Sequence, residues 1–222
     1  AWLEEWVRPE VQKLSAYHIA DSSGMIKLDA MENPYVWPES LVEKWLTCIR
    51  DVTVNRYPDP SARRLEKQVR DVWNVNSSLG MLFGNGSDEL IQLIAMTFGT
   101  SERPILAPAP SFVMYQMVAD FCRLKYVPVS LNPDFSLDLE AMLDAIAAEQ
   151  PSVVYLAYPN NPTGNRFNPE EIHTIIEAAP GVVVIDEAYF PFAQHSFLHE
   201  MEKHPKTLLI RTVSKMGLAG LR

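Results

Sequence analysis

The sequence predicts an α/β fold: a three-layer αβα sandwich built on a mostly parallel, doubly wound sheet. Three observations predict it. Short apolar runs alternate along the chain with helical segments, the rhythm of parallel strands joined by crossovers. Val182–Ile185 is an unbroken run of β-branched residues, which suits a strand covered on both faces. Several apolar runs end in Gly, Pro or Asn turns, at the strand ends where such sheets bind ligands.

The elements follow in order. Leu3, Trp6, Val7, Val11 and Leu14 have helical spacing interrupted by Pro9, which reads as a short helix or arm. Ile26–Ala30 is a short strand candidate, followed by the turn Glu32-Asn33-Pro34-Tyr35. Glu39–Asp51 is an amphipathic helix with Leu41, Val42, Trp45, Leu46 and Ile49 apolar. Arg56-Tyr57-Pro58-Asp59-Pro60 is a rigid extended turn. A solvated helix rich in Arg and Lys follows, capped by Ser61 and ending near Val72. Met81–Phe83 reads as a strand, which Gly84-Asn85-Gly86-Ser87-Asp88-Glu89 turns into a helix ending near Phe98. Pro104–Ala109 is a buried strand, Tyr115–Phe121 a helix and Lys125–Leu131 a strand. Leu137–Glu149 is a helix with Leu139, Met142, Leu143 and Ile146 inward. The apolar run from Val153 ends in the turn Asn161-Pro162-Thr163-Gly164. Pro169–Ala179 is a helix opened by a proline. The strand Val182–Asp186 and the strand Thr207–Ile210 complete the sheet. The last strand feeds Ser214-Lys215 and a small-residue turn ending on Arg222.

Composition sets bounds. The chain has 222 residues, 47% of them hydrophobic, enough for one large core and part of a second domain. Its net charge of −9 gives no support for a nucleic-acid or membrane-surface partner. No apolar run has the length of a membrane span, and the acidic, aromatic N-terminus lacks a signal-peptide pattern. Cys48 and Cys122 lie far apart and read as free thiols of a cytoplasmic protein. His195, His199 and His204 are spaced as on one helix face. With no cysteine nearby and no clear acidic support they read as solvated, and no metal site is expected.

The chemistry concentrates at strand ends. Lys215, delivered by a strand into a Gly/Ala-rich loop, suits a buried amine of lowered pKa, as Schiff-base chemistry requires; the plain alternative is a surface lysine. Ser214 and Arg222 offer a hydroxyl and a fork-shaped cation to one phosphate. Asp186, at the end of a buried strand, is costly unless a cation faces it, and a protonated pyridine nitrogen is such a cation. The glycines before Ser87 and Asp88 let backbone amides approach an anion at a helix N-terminus; a plain Asx/Ser cap is the compatible alternative.

Asn161-Pro162-Thr163-Gly164, Asp186-x-x-Tyr189 and Ser214-Lys215 with Arg222 downstream together resemble the class I/II aminotransferases of fold type I, which depend on pyridoxal 5′-phosphate (PLP). Leu28–Tyr35, Arg56–Asp59 and Gly84–Glu89 are most similar to the branch acting on L-histidinol phosphate in histidine biosynthesis. The resemblance runs from about Tyr17 to Arg222. It implies Lys215 as the catalytic lysine. It implies Ser87, Asp88, Ser214, Arg222 and Tyr57 around the cofactor phosphate, with Tyr57 reaching across a homodimer. Phe112 would stack on the ring, Asp186 would pair with its nitrogen, and Asn161 and Tyr189 would meet its phenolic oxygen. Tyr17 and Asn33 would lie toward the substrate. A small-molecule amino donor would exchange its amine with a 2-oxo acid, expected to be 2-oxoglutarate. Residues 1–50 would be an arm and part of a small domain, and 51–222 the PLP-binding large domain. The rest of the small domain and the arginine for the substrate carboxylate would lie beyond Arg222, so a piece of a longer chain is expected. The motifs alone leave open an aromatic aminotransferase, a threonine-phosphate decarboxylase, an aminotransferase-like sensor module and an inactive PLP-binding fragment. One departure stands out: Lys215 and Arg222 are seven apart, where many members have eight.

Overall fold

A computed structural model of the chain describes residues 5–13, 21, 23–28 and 30–221. Its helices are α1 (Pro9–Gln12), α2 (Glu39–Arg50), α3 (Arg63–Trp73), α4 (Ser87–Phe98), α5 (Met114–Cys122), α6 (Leu139–Glu149) and α7 (Pro169–Ala178). Its strands are β1 (Ile105–Ala109), β2 (Tyr126–Ser130), β3 (Val153–Ala157), β4 (Val182–Asp186) and β5 (Thr207–Ile210). All strand pairs are parallel, in the order β2-β1-β3-β4-β5. Winding therefore reverses between β1 and β3, the place where sheets of this kind open a ligand crevice. Crossovers α5, α6 and α7 join β1 to β2, β2 to β3 and β3 to β4. Between β4 and β5 the chain makes only the 3-10 turns Phe190–Phe192 and Leu198–Lys203.

Strand side chains alternate between two cores, as a period of two requires. Val153, Tyr155 and Ala157 pack with Ile91 and Ala95 of α4 and with Tyr115, Val118 and Ala119 of α5. Val154, Leu156 and Tyr158 pack with Met142 and Ile146 of α6 and with Ile172, Ile175 and Ile176 of α7. Both faces are covered, which is why these strands read as continuous apolar runs. Local chemistry fixes the ends. The Asp138 carboxylate accepts from the Ala141 amide at 3.0 Å and starts α6. Asn168 accepts from the Glu170 amide with Pro169 at the first position of α7. Arg123 and Gln150 stop α5 and α6 in left-handed conformation.

Several local expectations are corrected. Met81–Phe83 and the described residues Ile26–Leu28 form no strand, because no neighbouring strand hydrogen-bonds to them and an unpaired strand is not stable in water. Helix α3 is not capped by Ser61. Asp59 accepts from the Ser61 and Arg63 amides instead, and its carboxylate also meets Arg63 Nε at 2.9 Å. His195, His199 and His204 share no α-helix, since the segment is a 3-10 turn. Glu5 and Trp6 are helical, the chain leaves the helix at Val7 and Arg8, and Pro9 opens a second short helix, so the interruption expected at Pro9 is present. Helix α2 buries none of its residues, and Leu41, Trp45, Leu46 and Ile49 stay exposed. No helix among the described residues is long and apolar enough to cross a membrane.

Candidate active site

Three elements end at the carboxyl edge of the sheet around the switch point. β1 leads into Pro110-Ser111-Phe112, β3 into Tyr158-Pro159-Asn160-Asn161, and β4 ends on Asp186. Ala157 pairs with Asp186 and Asp186 with Ile210, so β5 finishes beside them before the 3-10 turn Ser214–Met216 that carries Lys215. The chain thus gathers four of the sequence-predicted positions (Phe112, Asn161, Asp186 and Lys215) on one rim. A groove of about 470 Å³ lined by Arg103, Ser152, Gly181 and Lys206 lies at the opposite, amino-terminal edge, away from all of them.

Asp186 is the electrostatic centre. Its side chain shares a face with the α4/α5 core and is almost fully buried, at 3% exposure. Tyr115 Oη donates to Oδ2 at 2.9 Å and the Ala188 amide donates to Oδ1 at 3.0 Å. Burial pushes the Asp186 carboxyl up to about 6 from its ordinary 3.8; the two hydrogen bonds work against this, and the charges of Asp88 and Glu187 add to it. Among the described residues, no cation contributes. An acid so placed gains most from a cationic partner, and a protonated ring nitrogen supplies one charge and one hydrogen-bond donor. Below Asp186, Tyr115 stacks on Tyr155 at 4.6 Å, and Phe112 stands edge-on to Tyr115 at 5.7 Å. Burial raises both tyrosine hydroxyls well above their ordinary range, so Tyr115 remains a proton donor to Asp186.

The helix α4 supplies an anion-binding end. Its N-cap is Gly86 at φ 81°, with no side chain capping the first turn. Ser87 is therefore the first helical residue and not the cap, and its hydroxyl lies 3.5 Å from Asp88 Oδ1. Glu89 folds back to accept from the Asn85 amide, which shapes the loop. A Cβ on Gly84 would stand 2.8 Å from Glu89 Oε2 and 2.9 Å from a Leu90 methyl, so these two side-chain ends would have to move to admit one. Amides at the start of a twelve-residue helix favour a phosphate.

Lys215 is half-buried. Its Nζ donates to the Ala30 carbonyl at 2.8 Å and sits 5.4 Å above the Tyr189 ring. Asn33 packs on the same turn: a Cβ on Gly217, which has φ +104°, would stand 2.6 Å from Asn33 Nδ2. The Ala30 carbonyl and Asn33 thus lie against the turn that carries the lysine. Ser214 is tied to Thr212, whose Oγ1 lies 3.0 Å from Ser214 Oγ and accepts from the Ser214 amide. Asn161 is half-buried, while Asn160 is locked into the loop by Ser111, Pro110 and Thr163. Tyr57 is fully exposed. Tyr17 and Arg222 lie outside the described residues.

Three residues of the site's framework escaped the sequence. Tyr115 reaches Asp186 only through the fold. Glu187, fully buried, accepts from the Phe197 amide at 2.7 Å, from Ser196 Oγ at 2.9 Å and from Arg211 Nε at 3.0 Å. Arg211 in turn lies 3.9 Å over the Phe190 ring and 5.0 Å over Trp73. An acid next to Asp186 and a basic residue one step past β5 were the available signals.

The family model described as aminotransferase class I and II matches residues 23–222. The chain is 52% identical over 218 residues to histidinol-phosphate aminotransferase 2 of Nitrosococcus oceani, covering 98% of this chain and 61% of that relative. It is 51% identical over 185 residues to histidinol-phosphate aminotransferase of Thiocapsa roseopersicina, covering 83% of this chain and 98% of the relative. The crystal structure of histidinol-phosphate aminotransferase from Sinorhizobium meliloti in complex with pyridoxal-5′-phosphate is similar at a TM-score of 0.82 and 25% identity, covering 98% of this chain and 61% of that one. The chain therefore spans about three fifths of the length of most of these proteins.

Proposed function

The chain belongs to the class I and II aminotransferase family, and from that premise we propose that it is the cofactor-binding portion of a PLP-dependent histidinol-phosphate aminotransferase. The observation that carries the reading is Asp186, a buried carboxylate with acidic neighbours and no cation among the described residues, one strand from the turn that carries Lys215. The names of the Nitrosococcus and Thiocapsa relatives support the substrate, and the PLP complex of the Sinorhizobium protein supports the cofactor.

In this reading Asp186 pairs with the pyridine nitrogen and holds its proton. The amides of Ser87 and Asp88, the Ser214 hydroxyl and Arg222 hold the phosphate, joined by Tyr57 of a second copy. Phe112 stacks on the ring, and Asn161 and Tyr189 meet its phenolic oxygen. Lys215 is the point of covalent attachment. Bound PLP supplies an electron sink for negative charge developing at the substrate Cα. Displaced from that attachment by the incoming donor amine, the freed Lys215 amine would take the Cα proton of the amino donor as general base, for which it must leave the Ala30 carbonyl. Asn33 and Tyr17 lie toward the substrate, L-histidinol phosphate, and 2-oxoglutarate is the amino acceptor. Residues 1–50 form an arm and part of a small domain, and residues 51–222 the PLP-binding large domain. The working form is a homodimer, and its place is the cytoplasm, in keeping with the free thiols Cys48 and Cys122.

The test is covalent capture. The purified chain is mixed with PLP, its visible spectrum is recorded, and borohydride reduction is followed by peptide mass mapping. The expected result is a pyridoxyl mass on the peptide containing Lys215, absent in Lys215→Ala. A folded chain that takes up no PLP, or carries it on other lysines only, would overturn the reading.

A further inference from the structure

On the face opposite the Asp186 core, the fold assembles a second group of polar side chains. His173 is on α7, Glu200 is in the turn Leu198–Lys203, and His204 directly follows that turn. One donor atom from each lies within 4.8 Å of the other two. His173 Nε2 stands 3.2 Å from Glu200 Oε2, and the rings of His173 and His204 are 5.2 Å apart and tilted by 31°. His195 Nε2 approaches the other oxygen of the same carboxylate at 3.8 Å.

Two observations separate this group from a surface ion pair. His173 Nε2 is closed off from solvent, and the approach of Glu200 does not give it a well-formed hydrogen bond. A ring nitrogen left so is unfavourable, whereas a metal ion uses its lone pair directly. The ring is also held in place: His173 stands edge-to-face against the fully buried Phe197 at 5.6 Å and 88°. Preset ligands lower the entropy lost on binding.

We propose that His173, Glu200 and His204 form a binding site for one divalent transition-metal ion, zinc by preference. Two imidazoles and one carboxylate are a zinc donor set that leaves one position for water or for a further ligand, with His195 adjacent. Three donors about 2.1 Å from one ion sit about 3.4 Å apart, so small ring and carboxylate rotations close the present arrangement. The ion would tie the segment 195–204 to α7. That segment supplies the Phe197 amide and the Ser196 hydroxyl to Glu187, the residue next to Asp186. The site is thus a brace for the strand end that carries Asp186. It stands independently of the PLP reading, because none of its ligands takes part in cofactor binding there.

The test uses the untagged chain, stripped with a chelator and free of PLP. Zinc chloride is titrated in by calorimetry, and cobalt(II) is added in parallel to read its visible d–d absorption. The expected result is one ion per chain, with His173→Ala and His204→Ala each weakening zinc binding by at least about tenfold, as loss of one of three ligands should. His199→Ala, exposed and outside the group, leaves binding unchanged. Zinc should also raise the melting temperature of the unaltered chain and not that of His204→Ala. Should His173→Ala fail to fold, His204→Gln carries the comparison, since His204 is half-exposed. No stoichiometric binding, or binding that survives the His204 substitutions, overturns the proposal.

Discussion

Asp186 sets the molecule's response to pH. Its carboxyl is pushed up to about 6 from 3.8, chiefly by burial. The folded chain therefore holds this proton more tightly than the unfolded chain does. The group's contribution is most favourable below the unfolded value and is lost as pH rises through about 6, a cost on the order of 3 kcal/mol at neutrality. We expect the cofactor-free chain to lose stability between about pH 4 and 7 by this route, and Asp186→Asn to remove that part of the slope. The variant will not recover the full amount, because Tyr115 Oη and the Ala188 amide donate to different carboxylate oxygens and asparagine puts an NH2 at one of the two positions. Tyr115→Phe removes a bond that lowers the carboxyl, so the same transition should move to higher pH. Thermal melts across the pH range check both, and equal slopes in the unaltered chain and Asp186→Asn would refute the assignment. Saturating PLP should flatten the slope as well, because a cation facing Asp186 brings its carboxyl down.

The strand β4 delivers two acids in succession to opposite faces, and the second is neutralised within the chain. Glu187 is fully buried and the Arg211 side chain is 8% exposed, at 2.9 Å. Arg211→Met leaves Glu187 charged and unpaired, so we expect a loss of roughly 3–5 kcal/mol. Glu187→Gln combined with Arg211→Met should recover part of it. The check is the urea midpoint at constant m-value; a single-variant loss below about 1 kcal/mol would mean the pair contributes little. The strands themselves were legible in the sequence. Val182–Ile185 and Val153–Ala157 are continuous apolar runs because helices cover both faces. The position of Asp186 at a strand end was legible for the same reason. Tyr115, Arg211 and His173 were not, because each owes its role to a residue at least 24 positions away, which no periodicity records. Met81–Phe83 misled because a short apolar run is only a strand candidate until a neighbouring strand pairs with it.

At the scale of the whole molecule, the N-terminal elements keep apolar surface outside the core. Tyr57 is fully exposed, as are Val54 and Val36, and α2 presents Leu41, Trp45, Leu46 and Ile49. Scattered apolar residues are ordinary on a surface, but a helix with no buried residue is built to meet something else. We expect the PLP-loaded chain to be a dimer by light scattering, with Tyr57→Phe speeding PLP loss in the dimer and not in a monomer. A stable PLP-bound monomer, or an unchanged rate of loss, would remove the cross-subunit role of Tyr57. The opposed acids of β4 carry one more consequence. Deleting a single residue inside that strand would exchange the two addresses, sending the glutamate toward Tyr115 and the aspartate toward Arg211. A change of loop length around the sheet leaves untouched which acid faces which chemistry, whereas a change of length within β4 reverses it.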